Sequence, residues 1–255
     1  MRIFRLVCPL WILALAMMTS CASKKDIAYL QNVGISGEME SGVYEPTLKP
    51  DDLLSVIISA ETPEATVMFN IPAIQGNYQV DNNQNGIKTY LIDNAGNIDF
   101  PVIGKLKLGG LTRAEAVNKI SSSVSEYIKD PIVNLRILNF KISVLGEVAK
   151  PNTFSIQSER ITLLEALGMA GDLTIYGKRD NILVIREADG KKTFTRVNIL
   201  NSNFMNSPYY YLTQNDVVVV EPNKARVNAS AVGPNISLII SGISVLATVL
   251  ILSIR

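Results

Sequence analysis

Leu111-Thr112-Arg113-Ala114-Glu115-Ala116-Val117 and, fifty residues on, Ile161-Thr162-Leu163-Leu164-Glu165-Ala166-Leu167 decide how this chain folds. Each is a Thr-x-x-Glu capping box, in which hydroxyl and carboxylate satisfy backbone donors that a helix start leaves orphaned. Glu115 and Glu165 therefore have a structural task, which argues against a catalytic one. Around the two boxes the chain alternates short strand-like runs, so the expectation is an α+β protein with two small β-rich domains, each holding one helix.

The first unit reads outward from Thr112. Upstream lie strand-like runs at Leu53 to Ser59, Thr89 to Ile92 and Ile98 to Ile103, the last two joined by the turn-rich Asp93-Asn94-Ala95-Gly96-Asn97. Val117, Ile120, Val124 and Ile128 share one helical face, and the helix should stop before Asp130-Pro131. Val133, Leu135 and Ile137 then alternate with Asn134 and Arg136, as a half-buried strand requires. In the second unit the helix is short and breaks at Gly171. Ile182 to Ile185 and Thr193 to Val197 flank an Asp189-Gly190 turn, and Val217 to Val220 closes at Pro222.

Composition excludes much chemistry. In 255 residues there is no histidine, which rules out His-dependent triads, His proton shuttles and His-ligated metals. The two cysteines, Cys8 and Cys21, both lie near the N-terminus, so no Cys-rich metal site or disulfide framework exists in the body of the chain. A formal charge of +1 offers no strong pull on nucleic acid. Charged residues make up only 18%, and the mean hydropathy is +0.22; the excess apolarity sits at the two ends.

At the N-terminus, Arg2 and Arg5 precede a mostly apolar run from Leu6 to Met18, which suits a signal peptide better than a membrane span. The following Met18-Thr19-Ser20-Cys21 resembles a bacterial lipobox, with Met in place of the usual Leu or Val. The resemblance implies that Cys21 takes a diacylglycerol and becomes the first residue of the mature chain. Ala22, and not Asp, after the cysteine implies sorting to the outer membrane of a Gram-negative cell.

At the C-terminus, Ile236 to Ile254 contains no charge and would span about 28 Å as a helix, near the ~30 Å of a hydrocarbon core. A C-terminal transmembrane α-helix is therefore expected. Ser237, Ser241, Ser244 and Thr248 recur at steps of 4, 3 and 4 and stack on one face. That row could bond back to its own carbonyls in a plain anchor, pack against a partner helix, or line a water-filled passage built from several copies.

Taken together, the motifs resemble those of polysaccharide export outer-membrane lipoproteins of the Wza-like family. Leu48-Lys49-Pro50-Asp51-Asp52-Leu53, Ile98-Asp99-Phe100-Pro101-Val102-Ile103-Gly104 and Gly110-Leu111-Thr112 with Glu115-Ala116 are similar to the export domain. Val144-Leu145-Gly146-Glu147-Val148 with Pro151, Leu164-Glu165-Ala166 with Ala170-Gly171, and Leu212 to Val220 with Asn215-Asp216 are similar to a soluble-ligand-binding β-grasp (SLBB) module. Three turns depart from the family pattern: Asp51-Asp52 for Gly-Asp, Pro151-Asn152 for Pro-Gly, and Gly171-Asp172 for Gly-Gly. Asn and Asp tolerate positive φ, so the turns can survive. Only one β-grasp module is present, which implies a short periplasmic column.

The organisation expected is a signal peptide over 1–20, a linker over 21–45 after lipidated Cys21, an export domain over 46–138, an SLBB module over 139–222, a linker over 223–235 and a membrane helix over 236–254. The resemblance implies a non-enzymatic, cofactor-free conduit for capsular polysaccharide or exopolysaccharide, anchored in the outer membrane with its domains in the periplasm. Implied partners are copies of the chain in a ring, an inner-membrane polysaccharide co-polymerase or tyrosine autokinase, the exported polysaccharide and outer-membrane lipid, with no nucleic acid. Ser237, Ser241, Ser244 and Thr248 would line the passage.

Two other classes stay open: a glycan-binding lipoprotein with a plain C-terminal anchor, and a polysaccharide-modifying enzyme. For the first, the Asn- and Gln-rich segment from Gly76 to Gly86 offers Tyr78, Asn82 and Asn83, with Tyr90 nearby, as sugar contacts, although a solvated loop is the simpler account of it. For the second, Asp51/Asp52, Glu61/Glu64 and Asp93/Asp99 are paired carboxylates, which turn and surface positions also explain. Tyr209-Tyr210-Tyr211 is expected to pack within the module or between subunits.

Overall fold

The computed structural model describes residues 24–34, 44–70, 89–188, 190–231 and 236–253. It is an α+β protein with two hydrophobic cores, one built from Leu48 to Leu135 and one from Phe140 to Val220, with Ile137 packed against both.

The first core lies under a three-stranded antiparallel sheet. β1 (Leu53–Ser59) is central, with β2 (Thr89–Leu91) on one side and β5 (Ile132–Ile137) on the other. Leu54, Val56 and Ile58 point inward at the strand period of two, and Val56 pairs with Leu135. A one-turn helix, α1 (Pro63–Thr66), follows β1. A separate hairpin, β3 (Asn97–Phe100) with β4 (Gly104–Lys107), adds Ile98, Phe100 and Leu106. The run expected to continue to Ile103 ends at Phe100 because Pro101 has no N–H to donate and Val102 turns at φ +68°.

Helix α2 (Arg113–Val124) begins with the expected box: Thr112 Oγ1 accepts from Glu115 N at 3.3 Å, and Thr112 N donates to Glu115 Oε2 at 2.8 Å. Ala116, Ile120 and Val124 bury one stripe. The helix stops at Val124 and Ile128 is buried beyond it. Ser122, Ser123 and Ser125 donate to carbonyls four residues back, offering the backbone a rival to helix propagation.

The second domain is a five-stranded mixed sheet ordered β10-β9-β12-β6-β7, formed by β6 (Lys141–Gly146), β7 (Asn152–Ser155), β9 (Ile182–Ala188), β10 (Lys191–Val197) and β12 (Val217–Val220). Its one parallel pair is β12 with β6. There Gly146, at φ +88°, lets the strands close; a Cβ on it would lie 2.1 Å from Val220 O. β8 (Ile161–Thr162) pairs with β11 (Tyr211–Leu212) and leads into α3 (Leu163–Met169), whose Thr162–Glu165 box repeats that of α2. Two of the departing turns show how they tolerate the change: Asp51 sits at φ +68° and Asp172 at +69°.

Beyond the module come α4 (Lys224–Ala231) and α5 (Ile236–Ser253). The expected transmembrane helix does not hold. Among the described residues no helix is long and apolar enough to cross a membrane. The eighteen residues of α5 rise about 27 Å, less than the ~30 Å of a hydrocarbon core.

Candidate functional site

The place where most polar chemistry converges is the junction of the two domains, and one residue holds its centre. Asn139, the first residue after the export strands, accepts from Leu53 N at 2.9 Å and donates to Asp51 O at 2.8 Å. Its own carbonyl accepts from Gln214 Nε2 at 2.7 Å. Gln214 in turn accepts from Lys141 N at 2.8 Å. Lys49 Nζ crosses to Thr213 Oγ1 at 3.3 Å, and Arg113 at the head of α2 meets Glu159 of the module at 2.9 Å.

Two buried acids flank this knot in different ways. Asp216 is fully buried and fully served: Arg186 reaches it through Nε at 3.1 Å and Nη2 at 2.7 Å, and Thr213 supplies its N–H at 2.8 Å and hydroxyl at 2.9 Å. Arg186 also donates to the carbonyls of Pro208 and Tyr211. Asp52, 1% exposed, accepts from Lys49 N at 2.8 Å through Oδ2, while its Oδ1 is buried without a hydrogen bond. Burial drives its carboxyl above the ordinary Asp range, against the lowering effects of the Lys49 amide and ammonium.

Aromatic rings line the module side. Tyr44 stacks on Tyr211 at 4.6 Å, Arg160 lies 5.6 Å over the Tyr211 ring, and Arg186 lies 4.7 Å over Tyr209. Tyr209 and Tyr210 pack against the module core. An open pocket of about 450 Å³ is lined by Ser155 to Ser158 together with Ile161, Glu165 and Met169.

Three further carboxylates, Asp93, Glu221 and Glu147, are committed to structure. Asp93 Oδ1 accepts from Asn97 N at 2.7 Å, which holds its carboxyl below the usual range and closes the β2–β3 turn. Glu221 accepts from Arg196, Lys178 and Asn181, and the Arg196 and Lys178 bonds hold its carboxyl low too. Glu147 pairs with Arg226 at 3.2 Å. Among the described residues, no group of three or more acidic or Cys side chains is placed to hold a metal ion.

The glycan candidates divide. Tyr78, Asn82 and Asn83 lie outside the described residues, as does Cys21. Tyr90 is only 6% exposed, tilted against Phe100 at 5.2 Å, and burial pushes its phenol up to about 12; its ring face has no room for a sugar. Of the hydroxyl row, Ser237's side chain is outside the described set. Ser244 donates to Ile240 O at 2.7 Å and Thr248 to Ser244 O at 2.8 Å, so both are satisfied within their own helix. Ser244 also reaches Ser241 O at 3.2 Å.

What sequence reasoning missed is the Asn139–Gln214 knot and the docking of residues 24–34 on the second domain. A lone Asn at a domain boundary and a Gln in a turn give no periodic signal.

Residues 41–138 match the family described as polysaccharide biosynthesis/export protein, and residues 140–220 match the SLBB domain. The chain is 30% identical over 193 residues to the EPS I polysaccharide export outer membrane protein EpsA of Ralstonia solanacearum, covering 72% of this chain and 50% of the relative. The EpsA of Ralstonia nicotianae is 28% identical over the same shares. The chain thus spans about half the length of the curated relatives it matches. With an export domain knotted to one SLBB domain, this chain belongs to the polysaccharide biosynthesis/export family.

Proposed function

We propose that this protein serves polysaccharide export at the outer membrane, as a non-enzymatic lipoprotein whose copies assemble into a periplasmic ring through which the glycan passes. The observation that carries this reading is the tandem of export and SLBB domains, shared over 72% of the chain with proteins named for polysaccharide export at the outer membrane. Asp93, Glu115, Glu147, Glu165, Asp216 and Glu221 already serve turns, caps or ion pairs, which supports a passive role. Met18-Thr19-Ser20-Cys21 supports lipid attachment at Cys21.

Energy for transport then comes from outside this chain, and an inner-membrane co-polymerase or tyrosine autokinase is the class of partner that would deliver the polymer. No passage is assigned to α5. The test is deletion of the gene followed by complementation. Extracellular polysaccharide should disappear on deletion, with the repeat-unit polymer retained inside, and return with the intact chain. Undiminished surface polysaccharide in the deletion strain contradicts the proposal, and cleavage of the polymer by purified protein contradicts its non-enzymatic part.

A further inference from the structure

The chain makes the same turn twice, at the head of β1 and at the head of β12, and the two copies meet at the domain junction. In Lys49-Pro50-Asp51-Asp52 the fourth N–H donates to the first carbonyl at 3.2 Å, and in Thr213-Gln214-Asn215-Asp216 at 3.1 Å. The third residue of each has positive φ, +68° at Asp51 and +64° at Asn215. In each the closing Asp is buried and accepts from the N–H of the first residue at 2.8 Å.

The copies differ in what stands across the neighbouring strand. β12 pairs with β9 so that Val217 faces Ile185, and one step further out Asp216 faces Arg186, which binds it. β1 pairs with β2 so that Leu53 faces Leu91, which brings Ile92 opposite Asp52. Ile92 N donates to Asp52 O at 3.0 Å, and Asp51 N to Ile92 O at 3.0 Å. Directly opposed residues of an antiparallel pair project to the same face, so an isoleucine with no exposed surface stands where the module has its guanidinium. Among the described residues nothing donates to Asp52 Oδ1. Such a site penalises an ionised carboxyl more than a neutral one.

The junction hangs on this turn. Asp51 O accepts from Asn139 Nδ2 at 2.8 Å, and Lys49 Nζ donates to Thr213 Oγ1 at 3.3 Å. We propose that Asp52 makes the joint between the export domain and the SLBB module acid-sensitive: neutral, it lets the turn close on Asn139 and Thr213; ionised, it favours opening of the turn to water and slackens the joint. The charges around it are Lys49 and exposed Asp51 in its own turn, Asp93 after β2, Arg113 and Glu115 at the head of α2, Arg136 and Lys141 exposed on either side of Asn139, and Asp216 with Arg186 in the module. Of the acids, Asp93 is bound by Asn97, Glu115 by its capping box and Asp216 by Arg186, which leaves Asp52 as the buried acid with an unserved oxygen. Burial raises its carboxyl from 3.8, so the stability that the neutral form supplies is fully present below 3.8 and is lost as pH rises through the folded value.

The test follows amide exchange in the full-length protein in mild detergent, corrected for the intrinsic pH dependence of exchange. The reporters are Leu53 N–H and Lys141 N–H, which donate to the side-chain oxygens of Asn139 and Gln214; Val56 and Val218, inside β1 and β12, serve as references. From about pH 4 to about pH 7, protection at Leu53 and Lys141 should fall several-fold while the references hold. Asp52→Asn keeps an oxygen for the Lys49 N–H and carries no charge, so it should retain the low-pH protection throughout. Asp51→Asn should keep the step, and Asn139→Ala should leave Leu53 poorly protected at both ends of the range. A flat profile in the unaltered protein, an equal fall at Val56 and Val218, or a step that persists in Asp52→Asn or disappears in Asp51→Asn overturns the proposal. Should Asp52→Asn fail to fold, the unaltered profile and Asn139→Ala decide: a pH step at Leu53 that survives Asn139→Ala overturns it as well.

Discussion

The two domains start their helices with the same device and stabilise everything else differently. In the export domain α2 runs twelve residues and buries Ala116, Ile120 and Val124 against an antiparallel sheet; the core is apolar apart from Asp52, Ser55 and Thr66. In the SLBB module α3 runs only seven residues, and the fold leans on buried polar groups: Arg186 with Asp216, and Arg179 donating to the carbonyls of Leu173, Thr174 and Gly177. Equivalent capping boxes thus set where a helix begins but not how its domain is held. The module, with its buried ion pair, is the more vulnerable to loss of a single charge. The export domain is the more vulnerable to loss of volume.

That contrast can be broken most forcefully at Arg186. Arg186→Ala leaves Asp216, with no exposed surface, without its cation, which should cost the module about 4 kcal/mol. Hydrogen exchange should show β9, β12 and β6 opening while β1 and β5 keep their protection; equal loss in both domains would mean that they unfold as one unit. The converse variant is Ile120→Ala, where a fully buried side chain on α2 gives way to a cavity. A loss of about 3 kcal/mol confined to the export domain is expected by the same readout.

A smaller effect compares the capping boxes directly. Thr112→Ala and Thr162→Ala each remove an acceptor for the N3 amide and should each cost about 1 kcal/mol. Near-equal losses would support equivalent helix starts. A much larger loss at Thr162 would show that its hydroxyl bond to Glu165 and its place in β8 matter more than the cap.

The smallest effect concerns the segment around Tyr29 that docks on the SLBB module. Burial first, then the bond to Asp172, pushes the Tyr29 phenol up to about 12 from its ordinary 10.0. Because the folded-state value is raised, the contribution of the neutral phenol is fully present below pH 10 and is lost as pH rises toward 12. Exchange of the Leu30 and Gln31 amides should therefore accelerate over that window, and Tyr29→Phe should flatten the step.

Much of the fold was legible because it follows short-range rules. Leu53–Ser59 and Val217–Val220 lie where their apolar runs put them, and both helix starts follow from Thr-x-x-Glu. Asp51 and Asp172 adopt positive φ, as their turn positions require. The reading failed where one residue type masks another effect. Ile98 to Ile103 reads as a single strand until Pro101 and Val102 break it into a hairpin. The α2 stripe reads through to Ile128, but serine hydroxyls compete for carbonyls and end the helix at Val124. At the C-terminus, an uncharged apolar run of near-spanning length suggested a membrane helix, whereas among the described residues no helix is long and apolar enough to cross a membrane.

Less of the site was legible, since it depends on contacts between residues far apart in sequence. Asn139 meets Gln214 across 75 positions and Tyr29 meets Asp172 across 143. Neither pair leaves a pattern in one sequence.

The central claim is that copies of this chain act together around an exported glycan. It is tested most directly by the native mass of the acylated protein extracted in mild detergent. A single species at a fixed multiple of the monomer mass, several-fold or more, is the predicted result; a monomer at concentrations that preserve export in cells would contradict the account.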